Sequence, residues 1–211
     1  MVKNFSCRED FKSALINLDR LACEKIIDGH SKSDSSLHIA ESLITPVMEE
    51  LGNDWEKGHI SLSQIYMTSR ICEYLIDKII APENPDRKTD PRIAITILED
   101  YHVLGKRIVS SILRAGGFNL YDYGTTSSDS LLQLVQKDNI EIVLISTLML
   151  SSALKVKDFS EKLKAIKPEV KIFVGGAPFR FDRDLWREVG ACGMGLTASD
   201  AINLINTGGV L

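Results

Sequence analysis

The sequence is short of cysteine, of long apolar runs and of clustered basic residues, and each shortage removes a class of function. Its four cysteines, Cys7, Cys23, Cys72 and Cys192, lie far apart, form no C-x-x-C pair and have no histidine at zinc-ligand spacing. A zinc site or a disulfide framework needs such spacing, so these residues read as core or surface thiols. No apolar run reaches transmembrane length. The start, MVKNFSCREDFKSA, carries Arg8, Glu9, Asp10 and Lys12 where a signal peptide has its apolar segment, and a cytoplasmic protein is expected. Lysine and arginine number 25 against 29 acidic residues, a net charge of −4 with no basic stripe. A polyanion needs a concentrated positive field. Nucleic acid and an anionic membrane are therefore not expected as partners, whereas a small molecule or another protein is.

What is present is an ordinary globular composition, 44% hydrophobic and 26% charged over 211 residues, enough for two units with separate cores. Up to about residue 81 the apolar residues recur at helical spacing. Ser6 with Glu9 has the form of a capping box opening a helix through Leu18. Asp19 can cap a second helix that stops at Asp28-Gly29. A third runs from Leu37 to Leu51 with Gly52 as its stop signal, and a fourth starts near Ser61. Four helices with short connections predict a bundle over 1–81.

The polar, proline-containing stretch Pro82 to Pro91 reads as a linker. Beyond it, over 92–211, short apolar runs alternate with amphipathic segments. The expected strands are Ile93 to Leu98, Phe118 to Tyr123, Glu141 to Ser146, Lys171 to Gly175 and a weaker fifth near Ala191 to Met194. The intervening helices fall near Val103 to Ala115, Ser128 to Lys137, Lys155 to Ile166, Arg183 to Val189 and Ser199 to Ile205. Strict alternation predicts an α/β unit with a doubly wound, flavodoxin-like sheet of five parallel strands. Such sheets bind ligands beyond the carboxyl ends of their strands, where the strand order reverses.

The first strand runs into Glu99-Asp100-Tyr101-His102-Val103-Leu104-Gly105. If Asp100 to His102 stays extended, both side chains fall on one side of the chain. The carboxylate then accepts a proton from one imidazole nitrogen and leaves the other as a lone-pair donor, as in metal-binding histidines. Gly105 permits close approach of a bulky ligand. The plainer reading, that Asp100 caps the following helix and His102 is a loop residue, stays open on this stretch alone. The third strand ends in Ser146-Thr147-Leu148 and continues to Ser152, and the fourth ends in Gly175-Gly176. Small residues at these ends leave room between sheet and helices for a flat or elongated group.

D-x-H-x-x-G, then S-x-L, then G-G resembles the cobalamin-binding domains of cobalamin-dependent methyltransferases, of the methionine synthase type, and their small corrinoid carrier proteins. The resemblance implies that His102 is the lower axial ligand of cobalt, replacing the cofactor's own base, with Asp100 as its hydrogen-bond partner and Ser152 extending the pair into a relay. It places Tyr101, Val103, Gly105, Ser146, Leu148, Gly175 and Gly176 around the cofactor and the slot for its nucleotide tail. It also extends to LGNDWEKGHISLSQIYM, which is similar to the family's helical cap. There Trp55, Leu62, Ile65 and Tyr66 would shield the methyl group, the alternative being bundle core. Val103, Tyr101, Ser63 and Cys192-Gly193 depart from the family pattern.

The function implied is that of a carrier. It would take a methyl group from a substrate-specific methyltransferase and pass it to a second methyltransferase, whose acceptor is a folate or a thiol, with a corrinoid reactivating protein as a further partner. By itself it would complete no turnover. Two alternatives are a cobalamin-binding sensor that acts through a separate partner and a cofactor-free flavodoxin-like interaction protein.

Overall fold

A computed structural model describes residues 2–31, 34–79, 88–115 and 117–209, and the chain divides into two units, Met1–Pro82 and Glu83–Leu211.

The first unit is helical: α1 (Val2–Ile16), α2 (Arg20–His30), α3 (Ser36–Ile39), a π-helical segment (Ala40–Ile44), α4 (Thr45–Glu56) and α5 (Leu62–Ile79). Ile39, Ile44 and Thr45 all keep right-handed helical dihedrals, so Ser36 to Glu56 is one unbroken rod and the unit has the four-helix form. The π turn precedes Pro46, which has no N–H to give the carbonyl of Ser42 four residues back. Arg8 supplies the missing donor, its Nε lying 2.9 Å from the Ser42 carbonyl. Phe11, Leu15, Ile27, Ile44, Leu51, Leu75 and Ile76 are buried between the rods.

Asp19 caps α2 as expected, accepting from the Ala22 amide at 3.0 Å. Two expected boundaries are corrected. Helix α1 is already formed at Val2, so Ser6 lies within it and is not its cap. Gly52 does not end the third rod, which continues to Glu56. One glycine inside a helix costs only about 1 kcal/mol, and the stop comes at Gly58, where φ is +74°.

The second unit alternates β1 (Lys88–Leu98), α6 (Leu104–Ala115), β2 (Phe118–Thr126), α7 (Ser128–Lys137), β3 (Ile142–Ser146), α8 (Leu150–Ile166), β4 (Lys171–Gly175), α9 (Ala177–Phe181), α10 (Leu185–Glu188), β5 (Gly193–Gly195) and α11 (Asp200–Thr207). All pairings are parallel, in the order β2-β1-β3-β4-β5. Ile142 to Ile145 are buried without a polar interruption because helices cover both faces of the sheet. Val143, Ile145, Ile172 and Val174 pack with Val156, Phe159 and Leu163 of α8. Ile93, Ile95, Leu144 and Phe173 pack with Leu113 of α6 and with Leu204 and Ile205 of α11.

Residues 82–87 of the expected linker lie outside the described residues. Lys88 to Pro91 belong to β1, where a register shift between Lys88 and Ile93 accommodates Pro91, which has no N–H for a ladder. Helix α8 begins five residues before Lys155, so Ser151 and Ser152 are helical. Among the described residues no helix is long and apolar enough to cross a membrane.

Candidate functional site

The strand order reverses at β1, which has β2 on one side and β3 on the other. The crevice beyond its carboxyl end is where this topology places ligands. The chain leaves β1 through Glu99, a non-glycine residue with φ of +47°, a conformation that costs about 1–2 kcal/mol. Three contacts hold it there. The Glu99 amide donates to the Thr126 carbonyl at 2.9 Å, its carbonyl accepts from Ser152 Oγ at 2.9 Å, and its carboxylate pairs with Lys155.

This turn aims Asp100 inward, with 1% of its side chain exposed. Oδ1 accepts from the Tyr101 amide at 2.7 Å, the His102 amide at 3.1 Å and His102 Nδ1 at 2.6 Å. Oδ2 accepts from the amides of Leu148 and Met149 at 2.9 and 3.1 Å. The carboxylate thus joins the loop after β1 to the loop after β3. Burial works to raise its pKa, but the His102 imidazole and the Leu148, Met149 and His102 amides outweigh burial and hold it at about 2. An ionised carboxylate only accepts, so Nδ1 of His102 carries a proton, and in the neutral ring the lone pair is on Nε2. The His102 side chain is half exposed.

Ile97, Ser146, Gly175 and Gly195 are register partners across β1, β3, β4 and β5. They form one row at the carboxyl edge, on the face covered by α6 and α11. Three of the four have little or no side chain, and backbones close in on them. A Cβ at Gly105 would sit 3.1 Å from Ser146 Oγ, and one at Gly175 would sit 3.2 Å from the Gly195 carbonyl. Gly176, with φ of +120°, leaves no alternative to glycine, since a Cβ there would lie 1.8 Å from the Thr147 carbonyl oxygen. The buried hydroxyls of Thr147 and of Ser110 on α6 have no hydrogen-bond partner among the described residues.

The structure therefore brings Asp100, His102 and Leu148 together, and Gly105 against Ser146. It does not bring Ser152 to Asp100. Its hydroxyl donates to the Glu99 carbonyl, so Ser152 holds the turn that positions the pair. Tyr101 is 90% exposed and Leu148 about half exposed, and Val103 is partly buried. Sequence reasoning missed Gly195 and the amides of Leu148 and Met149. It also missed a cavity of about 470 Å³ lined by Glu99, Tyr101, Thr125, Thr126, Ser127 and Lys155.

In the helical unit, Trp55, Leu62 and Tyr66 are exposed and Ile65 is half-buried, so three of the four lie outside the bundle core. The start of α5 is fixed by a capping box: the Ser61 amide donates to Gln64 Oε1 at 2.9 Å and the Gln64 amide to Ser61 Oγ at 3.2 Å.

Among the described residues no three His, Cys, Asp or Glu side chains gather to hold a metal ion. A lone imidazole does not chelate a free cation. It suits the axial position of a metal already held in a ring, and the side-chain-poor row and orphaned hydroxyls fit a large polar group beside it.

A five-stranded parallel sheet of this order defines a flavodoxin-like domain, with one outward imidazole at its switch point. Residues 92–203 match a family model described as a B12 binding domain, and residues 7–80 match a second model of the same description. The chain belongs to the B12-binding family, and its cofactor is cobalamin. It is 30% identical over 193 residues to the trimethylamine corrinoid protein of Methanosarcina barkeri, covering 87% of each chain. Its fold matches the monomethylamine corrinoid protein of Methanosarcina barkeri with a TM-score of 0.82 at 24% identity, over 95% of this chain and 97% of that one. It also matches a chain of the methanol:cobalamin methyltransferase complex of the same organism with a TM-score of 0.50 at 17% identity, over 96% and 79% of the two chains.

Proposed function

We propose that the chain is a methyl carrier that binds cobalamin with its nucleotide base displaced from cobalt and His102 in its place. It takes the methyl group from a substrate-specific methyltransferase and presents it to a second methyltransferase with a folate or thiol acceptor. The observation that carries this reading is the Asp100–His102 pair, in which a buried carboxylate held at about 2 fixes the Nδ1 proton and leaves Nε2 open at the switch point. The names of the relatives support a corrinoid protein of methyltransferase systems.

When bound, the corrin supplies a cobalt centre able to take up and give up a methyl group. The chain's residues supply the rest. Asp100 orients the imidazole and raises its basicity toward a metal. With five N–H donors already on its oxygens, Asp100 is a poor proton acceptor and stays the acceptor that orients the imidazole. Ser152 keeps the Glu99 turn in place. Gly105, Ser146, Leu148, Gly175 and Gly176, flanked by Tyr101 and Val103, receive the nucleotide tail and the rim of the ring. Trp55, Leu62, Ile65 and Tyr66 are assigned to excluding water from the methyl-bearing face. A corrinoid reactivating protein is the third partner.

The test is transfer between proteins. Cobalamin-loaded chain mixed with a methylamine methyltransferase and its substrate should gain a methyl group, seen in the corrinoid absorption, and lose it to a second methyltransferase supplied with a thiol. Loaded protein that neither gains nor loses the group with any such pair contradicts the carrier reading and leaves the sensor.

A further inference from the structure

We propose that Cys7, His30 and Asp34 of the helical unit form a thiol-exchange site that takes small disulfides. Cys7 Sγ lies 2.9 Å from His30 Nε2, and His30 Nδ1 lies 3.0 Å from Asp34 Oδ2. A nucleophile within reach of a base that is oriented by a carboxylate is the arrangement of activated thiols. The cluster borders a small cavity of about 30 Å³, with Arg8, His38, Ser42 and Leu43 around it, and Cys7 is itself partly exposed. The side chains of His30 and Asp34 are 31% and 27% exposed. The other thiols are differently placed. Cys23 and Cys72 are buried, and Cys192 is partly buried and makes no side-chain hydrogen bond among the described residues.

Burial and the nearby Asp10 carboxylate push the Cys7 thiol up from its ordinary value. The resting sulfur is therefore a thiol, and attack depends on His30 as base. Asp34 accepts the Nδ1 proton and so presents the Nε2 lone pair to the thiol. The backbone around Cys7 is committed to α1 and aims no free amides at the sulfur. Acyl transfer, which builds charge on a carbonyl oxygen and needs such donors, is disfavoured. Displacement at sulfur needs none, because its charge leaves on the departing thiolate.

The step balances without another reactant. His30 takes the Cys7 proton, and the thiolate attacks one sulfur of the disulfide. A Cys7–S bond forms as the original S–S bond breaks, and the departing thiolate recovers the proton from His30. The protein thiol is oxidised to a mixed disulfide while half of the small disulfide is reduced to a thiol.

The test incubates the full chain with oxidised glutathione and follows each cysteine by peptide mass spectrometry. Cys7 should be modified about tenfold faster than Cys192, and His30→Gln should slow Cys7 by about tenfold with Cys192 unchanged. Cys23 and Cys72 report the fold, since they stay unmodified while the core is intact. If they react in His30→Gln, the change Asp34→Asn decides, and it should also slow Cys7. Equal rates at Cys7 and Cys192, or a Cys7 rate unmoved by the substitution that folds, overturns the proposal.

Discussion

Replacing Asp100 by asparagine keeps the shape of the side chain and removes what the site uses. Oδ1 accepts three N–H groups and Oδ2 accepts two. An amide has one oxygen, so whichever way it turns, its NH2 faces two main-chain donors. Solvent is nearer the Tyr101 and His102 side, next to the half-exposed imidazole, so the nitrogen should settle there and keep Leu148 and Met149 bonded to the oxygen. His102 then accepts at Nδ1 and carries its proton on Nε2.

The energetic expectation comes from the carboxyl itself, whose pKa falls from 3.8 to about 2. A depression of that size corresponds to roughly 2 kcal/mol of stability at neutral pH, in line with about 1–3 kcal/mol for a buried donor left unpaired. The sign follows from proton binding. Above about pH 4 both folded and unfolded carboxyls are ionised and the full contribution is present. Between about pH 4 and 2 the unfolded chain takes the proton first, so the contribution is lost as pH falls. Urea unfolding of the second unit, followed by Trp186 fluorescence in a Trp55→Phe background, should show Asp100→Asn less stable by about 2 kcal/mol at neutral pH. The gap should close toward about pH 2. No gap at neutral pH, or one that keeps its size on acidification, refutes the assignment. Nitrogen NMR of His102 should show the lone pair moving from Nε2 to Nδ1.

Gly176→Ala should cost more than about 4 kcal/mol or prevent folding, because its Cβ would lie 1.8 Å from the Thr147 carbonyl oxygen; thermal unfolding measures this. Gly52→Ala has the opposite expected sign. Gly52 lies within α4 with nothing within 4 Å of a new Cβ, and the gain should be about 0.5–1 kcal/mol by urea unfolding of the helical unit. Ser152→Ala should cost about 1 kcal/mol and leave the carboxyl titration of Asp100, followed by NMR, in place. A relay role for Ser152 requires that titration to move.

What was legible in the sequence was local. The strands β3 and β4 stand out as apolar runs, Asp19 caps α2 in its own turn, and D-x-H spacing alone places the two side chains together. What was not legible depends on distant partners. Leu148 and Met149 reach Asp100 across 48 and 49 residues, and they contribute main-chain amides, which any sequence has. The resemblance points Ser152 toward Asp100, yet its hydroxyl meets a backbone carbonyl that no motif marks. Gly195 joins Ser146 and Gly175 through strand register, which exists only once the sheet is formed. Gly52 misled because a glycine stops a helix when the chain turns left-handed there, and the turn occurs at Gly58.

The most direct test of the central claim is electron paramagnetic resonance of protein loaded with cobalamin and reduced by one electron, with histidine labelled in the heavy nitrogen isotope. If His102 Nε2 is the lower ligand, the nitrogen splitting of the cobalt signal changes with the label, and the label-dependent pattern is lost in His102→Ala. A splitting that ignores the label, or that survives in His102→Ala, shows the cofactor's own base or another group on the metal and contradicts the account.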